Sequence, residues 1–270
     1  MNRLRAGSVL VPNPRFRHRL NQVDLSREAV DCIVFWTKNP IPFLPRIEQL
    51  QAAGYRFYFE FTLNPYDRTV EPNLPDKSQL IDAFQTLSRK IGRSGVDWRY
   101  DPILLTDTFT IDDHLKAFTA YCQALAPFTE RCILSFVDSY AHLKKTIRPL
   151  DSGQIDSIAR QFTEIATSCH LQLFTCAESI DLELYGIEHG ACIDRAKVEQ
   201  ITGQSIKARK DRGQRPACCC VESADIGIYD TCIHGCIYCY ATRKMATAID
   251  HYQQHDVDAP MLTGYPHADT

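Results

Sequence analysis

The sequence predicts an α/β protein, a partial or complete parallel (β/α) barrel with its cysteine-rich loop near the C-terminus. Three observations carry that expectation. Short apolar runs read as strands covered on both faces, helical stripes separate them, and polar residues gather where the strands end. No G-x-G-x-x-G follows a strand, so a Rossmann dinucleotide site is disfavoured and a barrel is the better expectation.

Five strands are expected, over 32–36, 55–61, 96–100, 132–137 and 171–175. Between them lie amphipathic helices with readable starts. Asp76 caps a helix that carries Leu80, Ile81, Phe84, Leu87 and Ile91 on one stripe. Thr110, with Asp113 three positions on, forms a capping box ahead of Leu115, Phe118, Cys122 and Leu125. Ser152 opens a third helix with Ile155, Ile158, Phe162 and Ile165.

The strand exits read TKNP, LNP, Asp101-Pro102, Asp138 and Cys176-Ala177-Glu178. In a barrel the loops at the strand C-termini form the working face. Pro40, Pro65 and Pro102 need no more explanation than ending a strand. Lys38, Glu60, Arg99, Asp101 and Glu178 are expected to share a cleft as a group; no catalytic residue is assigned among them.

Residues 1–203 form the core in this reading, and 204–270 a cysteine-rich segment that completes the same domain. The run KARKDRGQRP, 207–216, reads as a solvated loop. A short strand is expected over 226–229, and a helix from Ala241 through Met245 and Ile249.

With 270 residues, 44% of them hydrophobic, the chain can bury a sizeable core. Its net charge of −3 disfavours a general nucleic-acid binder. No run is apolar enough for a secretory signal or a membrane span, so a cytoplasmic protein without a membrane partner is expected. In that compartment the 12 cysteines point to metal or redox chemistry rather than disulfides.

The stretch TCIHGCIYCYA, 231–241, spaces Cys232, Cys236 and Cys239 as C-x3-C-x2-C. Zinc and iron both favour thiolates. A zinc reading pairs Cys236 and Cys239 with His251 and His255 in a finger-like pattern, with non-catalytic function and nucleic-acid contact through 207–216. Its inner gap is eleven residues, against about twelve in the usual finger. Thr242-Arg243 replaces the aromatic expected there, and Cys232 is left without a role. An iron–sulfur reading uses all three cysteines on a four-iron cluster, leaving one iron open to a cofactor or substrate. As an electron carrier the same cluster needs a fourth ligand, for which His234 is the nearest imidazole. The histidines at 18, 114, 142, 170, 189 and 267 share no spacing and receive no role.

The C-x3-C-x2-C run, with Tyr238 before the third cysteine, resembles the motif of the radical S-adenosylmethionine enzymes. That resemblance implies a [4Fe-4S] cluster on Cys232, Cys236 and Cys239, and S-adenosylmethionine on its open iron. It further implies a 5′-deoxyadenosyl radical that takes hydrogen from a substrate, and an electron donor such as a flavodoxin or ferredoxin. Tyr238 would lie against the adenine, and Arg99 and Glu178 would bind the ribose and methionine parts. In that family the motif usually follows the first strand; a loop on the last strand of a closed barrel reaches the same place.

WTKNP, FTLNP, EPNLPDK, WRYDPILL, YGIEHGACID and CVESADIGIYDTCIHGCIYCYA resemble the bacterial family called domain of unknown function 1848. Its members usually carry an extra strand and helix before MNRLRAG, so the chain is expected to be shortened at its N-terminus. The family pattern also matches Cys176, Cys192, Cys218 and Cys220, with glycine more usual at Cys219. Those four are expected to form a second, fully ligated cluster or a zinc site.

Overall fold

A computed structural model describes residues 1–13, 16, 19–138 and 147–264. His18, His142 and His267 lie outside them. A short helix, α1 (Asn2–Ala6), leads into an antiparallel hairpin of β1 (Ser8–Pro12) and β2 (Leu20–Asp24). β3 (Ile33–Thr37) then starts the main sheet and is followed by α2 (Ile47–Ala52). The alternation continues through β4 (Phe57–Thr62), α3 (Lys77–Ile91), β5 (Val96–Ile103), α4 (Ile111–Leu125), β6 (Arg131–Phe136), α5 (Ser152–Ser168) and β7 (Gln172–Cys176). β8 (Glu188–Gly190), α6 (Arg195–Thr202) and α7 (Met245–Gln253) complete the elements.

The main sheet is wholly parallel, in the sequential order β3-β4-β5-β6-β7-β8. All five expected strands form, each within a few residues of its expected bounds. The expected caps also form: Asp76 and Thr110 make capping boxes on α3 and α4. The third box belongs to Asp151 rather than Ser152, its carboxylate accepting from Gln154 N at 2.9 Å.

A closed barrel is not formed among the described residues. β3 and β8 stand at the two edges of an open six-stranded sheet, and they do not pair with each other. The strand expected over 226–229, which could have bridged that gap, is irregular. Local polar chemistry overrides its apolar character there. Asp225 accepts a hydrogen bond from Gly227 N at 2.8 Å, and Asp230 adopts a left-handed φ of 55°; both arrangements favour a turn over a ladder.

The two faces of the sheet differ in chemistry. Phe57, Phe59 and Phe61 of β4 alternate onto the helix-covered face with Val96, Trp98 and Tyr100 of β5 and Cys132, Leu134 and Phe136 of β6. There they meet Leu80, Phe84 and Leu87 of α3, Phe118 and Leu125 of α4, and Ile158 and Phe162 of α5. The Phe118 and Phe162 rings stack at 3.8 Å. The intervening residues Tyr58, Glu60, Asp97, Arg99 and Arg131 point the other way. That face is buried but polar, and Lys197 and Val198 of α6 pack against part of it. Among the described residues no helix is long and apolar enough to cross a membrane.

Candidate metal centre

The 231–241 loop lies across the C-terminal end of the sheet, fastened to the segment that follows β4. Asn73 N donates to His234 O at 3.1 Å, Asn73 Nδ2 to Ile233 O at 2.9 Å, and Ile237 N to Val70 O at 3.0 Å. The loop closes on itself through Asp230 N to Ala241 O at 2.8 Å and Thr242 Oγ1 to Cys232 O at 3.2 Å. Gly235 sits at φ +70°, where a Cβ would come within 3.0 Å of Met245 Cε and 3.3 Å of Pro72 Cγ. A side chain there would be strained by the backbone and crowded by its neighbours.

Tyr238 is the loop's buried foot. Its hydroxyl donates to Glu71 and accepts from Asn64 Nδ2 at 3.1 Å, while its ring lies edge-on to Tyr66. Glu71, 2% exposed, is also paired with Lys77 and with Lys38, whose Nζ stands 3.2 Å from Oε1 and 5.1 Å from the Tyr238 ring centre. Burial works against the Glu71 charge, but Lys38 and Lys77 together hold its carboxyl below the usual carboxylate range. The three thiols sit above this foot, Cys232 exposed and Cys236 and Cys239 half-buried. Burial pushes the Cys236 thiol up to about 11 and also raises Cys232, while Lys38 favours the thiolate of both. Thr242 N donates to Cys239 Sγ at 3.3 Å.

A second group of cysteines gathers at the same end of the sheet. Cys176 ends β7, Cys192 follows β8, and Cys218 and Cys220 arrive from the later loop; the four pack into one cluster with Ala177, Ala191 and Ile193. Cys176 Sγ and Cys192 Sγ are 2.7 Å apart. Arg99 Nη1 donates to Cys192 Sγ at 2.8 Å and to Glu60 Oε2 at 3.2 Å, while Nη2 and Nε reach Asp101 Oδ2 at 2.6 and 3.1 Å. Ile193 N donates to Cys220 Sγ at 3.4 Å, and Tyr58 OH to Cys192 O at 2.5 Å. The second oxygen of Glu60 is buried without a hydrogen-bond partner, and burial pushes this carboxyl up to about 8.

The residues expected to share a cleft thus divide. Glu60, Arg99 and Asp101 meet beside Cys192. Lys38 joins Glu71 under the motif loop. Glu178 stands at the end of β6, where Oε1 accepts from Ser135 Oγ at 2.9 Å and Phe136 N at 2.8 Å, and burial raises its carboxyl. Asn64 links the two cysteine groups: its Nδ2 donates to Tyr238 and to Asp101 O at 2.7 Å, and its Oδ1 accepts from Asp101 N at 2.9 Å. Glu71, Asn64, Asn73 and Lys77 have structural roles that spacing alone does not reveal. Their only sequence signal is membership of the LNP and EPNLPDK segments that carry the family resemblance.

Among the described residues, no group of three or more Cys, His, Asp or Glu side chains is arranged as the ligands of a metal ion. That holds alike for the finger set, for Cys232, Cys236 and Cys239, and for Cys176, Cys192, Cys218 and Cys220. His251 Nδ1 donates to Asp230 O at 2.8 Å and His255 Nδ1 to Leu262 O at 3.1 Å, each turned to a backbone carbonyl. The basic 207–216 loop is partly occupied within the protein, with Arg215 on Asp138 at 2.5 Å and Lys210 Nζ on Pro216 O at 3.0 Å.

Fold and site together define an α/β protein whose parallel sheet carries two groups of cysteines at its C-terminal end. The chain belongs to the family described as Domain of unknown function (DUF1848), whose profile matches residues 1–241 and so spans both groups. No curated protein matches the chain. Among solved structures it is similar to a putative alpha-L-fucosidase from Bacteroides thetaiotaomicron, at 13% identity over 59% of this chain and 68% of that one, with a TM-score of 0.30. So low a score carries no argument about fold or activity.

Proposed function

We propose that the protein is an iron–sulfur enzyme of the radical S-adenosylmethionine type, with Cys232, Cys236 and Cys239 as the cluster ligands. The observation that carries this reading is a single loop that bears all three thiols on the C-terminal end of a parallel sheet. A lone zinc ion needs four donors converging at about 2.3 Å, whereas a cubane takes three thiolates at separate corners and keeps one iron open. The donor set fits the second case.

Cys232, Cys236 and Cys239 would hold the cluster, which would supply one-electron reduction of bound S-adenosylmethionine and so the means of abstracting hydrogen from a substrate. The chain's own residues have other tasks. Lys38 offsets part of the negative charge of three thiolates. Glu71 and Asn64 hold Tyr238, which sets the height of the loop above the strands. Glu178, at the same end of the sheet, is the residue proposed to contact the polar parts of the cofactor. Tyr238, proposed to lie against the adenine, is buried beneath the loop with Lys38 over its ring, so that contact requires a rearrangement. Arg99 is occupied by Glu60, Asp101 and Cys192, so its proposed cofactor contact requires a change of partners. A flavodoxin or ferredoxin is the proposed electron source.

The test uses full-length protein prepared and reconstituted without oxygen. Dithionite and S-adenosylmethionine should yield 5′-deoxyadenosine, and the Cys232→Ala, Cys236→Ala, Cys239→Ala variant should yield none. A wild type that holds iron and sulfide on these cysteines yet leaves the cofactor intact overturns the enzyme reading and favours an electron carrier.

A further inference from the structure

We infer that Cys176, Cys192, Cys218 and Cys220 are the four ligands of one thiophilic metal centre, a zinc ion or an iron–sulfur cluster, separate from the motif loop. The chain brings these thiols together from the end of β7, the turn after β8 and the 218–220 segment, which are distant in sequence. Their packing is continuous. Cys192 contacts Cys176 on one side and Cys220 on the other, and Cys220 contacts Cys218. A disulfide can join Cys192 to one neighbour alone; a metal centre engages all four.

Distance and surroundings agree with this. The 2.7 Å between Cys176 and Cys192 lies between the roughly 2.05 Å of a disulfide and the edge of about 3.8 Å in a tetrahedron of thiolates about 2.3 Å from zinc. Loading the site therefore requires Cys176 Sγ and Cys192 Sγ to move apart by about 1 Å rather than converge from afar. N–H donors already point at the sulfurs: Arg99 Nη1 at Cys192 and Ile193 N at Cys220. Such outer partners orient ligating thiolates and stabilise their charge. Arg99 is in turn fixed by Glu60 and Asp101, and its charge offsets part of the net negative charge that four thiolates leave on a dication.

The inference does not depend on the motif loop, and its test separates the two. Full-length protein with Cys232→Ser, Cys236→Ser and Cys239→Ser, purified without oxygen, should retain either about one zinc or about four iron with matching sulfide per chain. Zinc analysis against iron and sulfide analysis decides which. Adding Cys176→Ser and Cys220→Ser should lower that content at least fivefold, whereas adding Cys219→Ser should leave it unchanged, since Cys219 is exposed and stands outside the cluster. A folded, metal-free motif variant overturns the inference, as does a Cys176–Cys192 disulfide in that variant after anaerobic purification. If the motif variant does not fold, the reconstituted wild type decides. Removing Cys176 and Cys220 from it (Cys176→Ser, Cys220→Ser) should cost about four iron or about one zinc per chain, and an unchanged metal content excludes the centre.

Discussion

The hydroxyl of Tyr238 donates to the buried carboxylate of Glu71, 167 positions earlier in the chain. This bond joins the cysteine loop to the segment after β4, and Lys38 and Lys77 make the carboxylate the centre of a four-residue cluster. The loop's position therefore depends on residues that lie far from the cysteines in sequence.

Removing that centre should loosen the loop and destabilise the fold. Glu71→Ala strands two lysines and a phenol, and breaking a buried ion pair costs about 3 kcal/mol or more. Urea denaturation should register that loss, and a variant as stable as wild type would refute the anchoring role. Acid should weaken the same contact. The folded carboxyl titrates below its ordinary value of 4.5, so its stabilisation is present above that pH and is lost as the pH falls through the folded value. The stability gap between wild type and Glu71→Gln should accordingly narrow as the pH falls below 4.5.

Glu60 should show the opposite dependence. Its carboxyl is raised from 4.5 to about 8 because burial leaves one oxygen without a partner, even with Arg99 on the other. The folded state then binds more protons than the unfolded chain between those values, so this contribution is full below the unfolded value and is lost as the pH rises through about 8. Glu60→Gln imitates the neutral form. Its stability, followed by thermal melting from pH 5 to 8, should fall less with pH than that of wild type; parallel curves would count against the assignment.

His114 should contribute to acid sensitivity in the core. It is fully buried, its ring nitrogens bonded to Tyr100 OH at 2.8 Å and Leu104 O at 2.9 Å. Burial lowers it from 6.5 to about 4, so between those values the unfolded chain takes the proton first. Stability should fall by about 1.4 kcal/mol for each pH unit over that range from this residue. Comparing urea midpoints of wild type and His114→Gln at pH 7 and pH 5 isolates the effect as a difference that disappears in the variant.

Asp97 holds two cations on the polar face of the sheet. Its oxygens accept from Arg131 Nε and from Lys197 Nζ, each at 2.8 Å, and the carboxylate is fully buried. Asp97→Ala strips the carboxylate from buried Lys197 and leaves Arg131 with Asp194 alone, and should cost about 3 kcal/mol or more. Chemical denaturation measures it. A loss under about 1 kcal/mol would indicate that Asp194, which also accepts from Arg131, suffices on its own.

How far the sequence could be read depended on how local the determinants are. Strands such as 96–100 and 132–137 declare themselves through apolar runs, and α3 and α4 through capping side chains next to their own backbone. The β1–β2 hairpin and β8 carry no such signal. Leu20–Asp24 is mostly exposed, and Glu188–Gly190 is a strand only because β7 offers it a ladder. The segment 226–229 has the opposite history: it is apolar enough to suggest a strand, but among the described residues no neighbour pairs with it, and the flanking Asp225 and Asp230 favour turns.

The amino-acid sequence on its own determined the alternation of strands and helices and the close spacing of Cys232, Cys236 and Cys239, because each depends on residues within a turn or two of one another; the doubly apolar strands, separated by helices, also pointed to parallel pairing. Only the tertiary structure decided that the sheet stays open, that Tyr238 rests on Glu71, and that Cys176, Cys192, Cys218 and Cys220 meet beside Arg99. Those outcomes depend on pairings between segments tens to more than a hundred residues apart, which form when the sheet stacks its strand ends side by side.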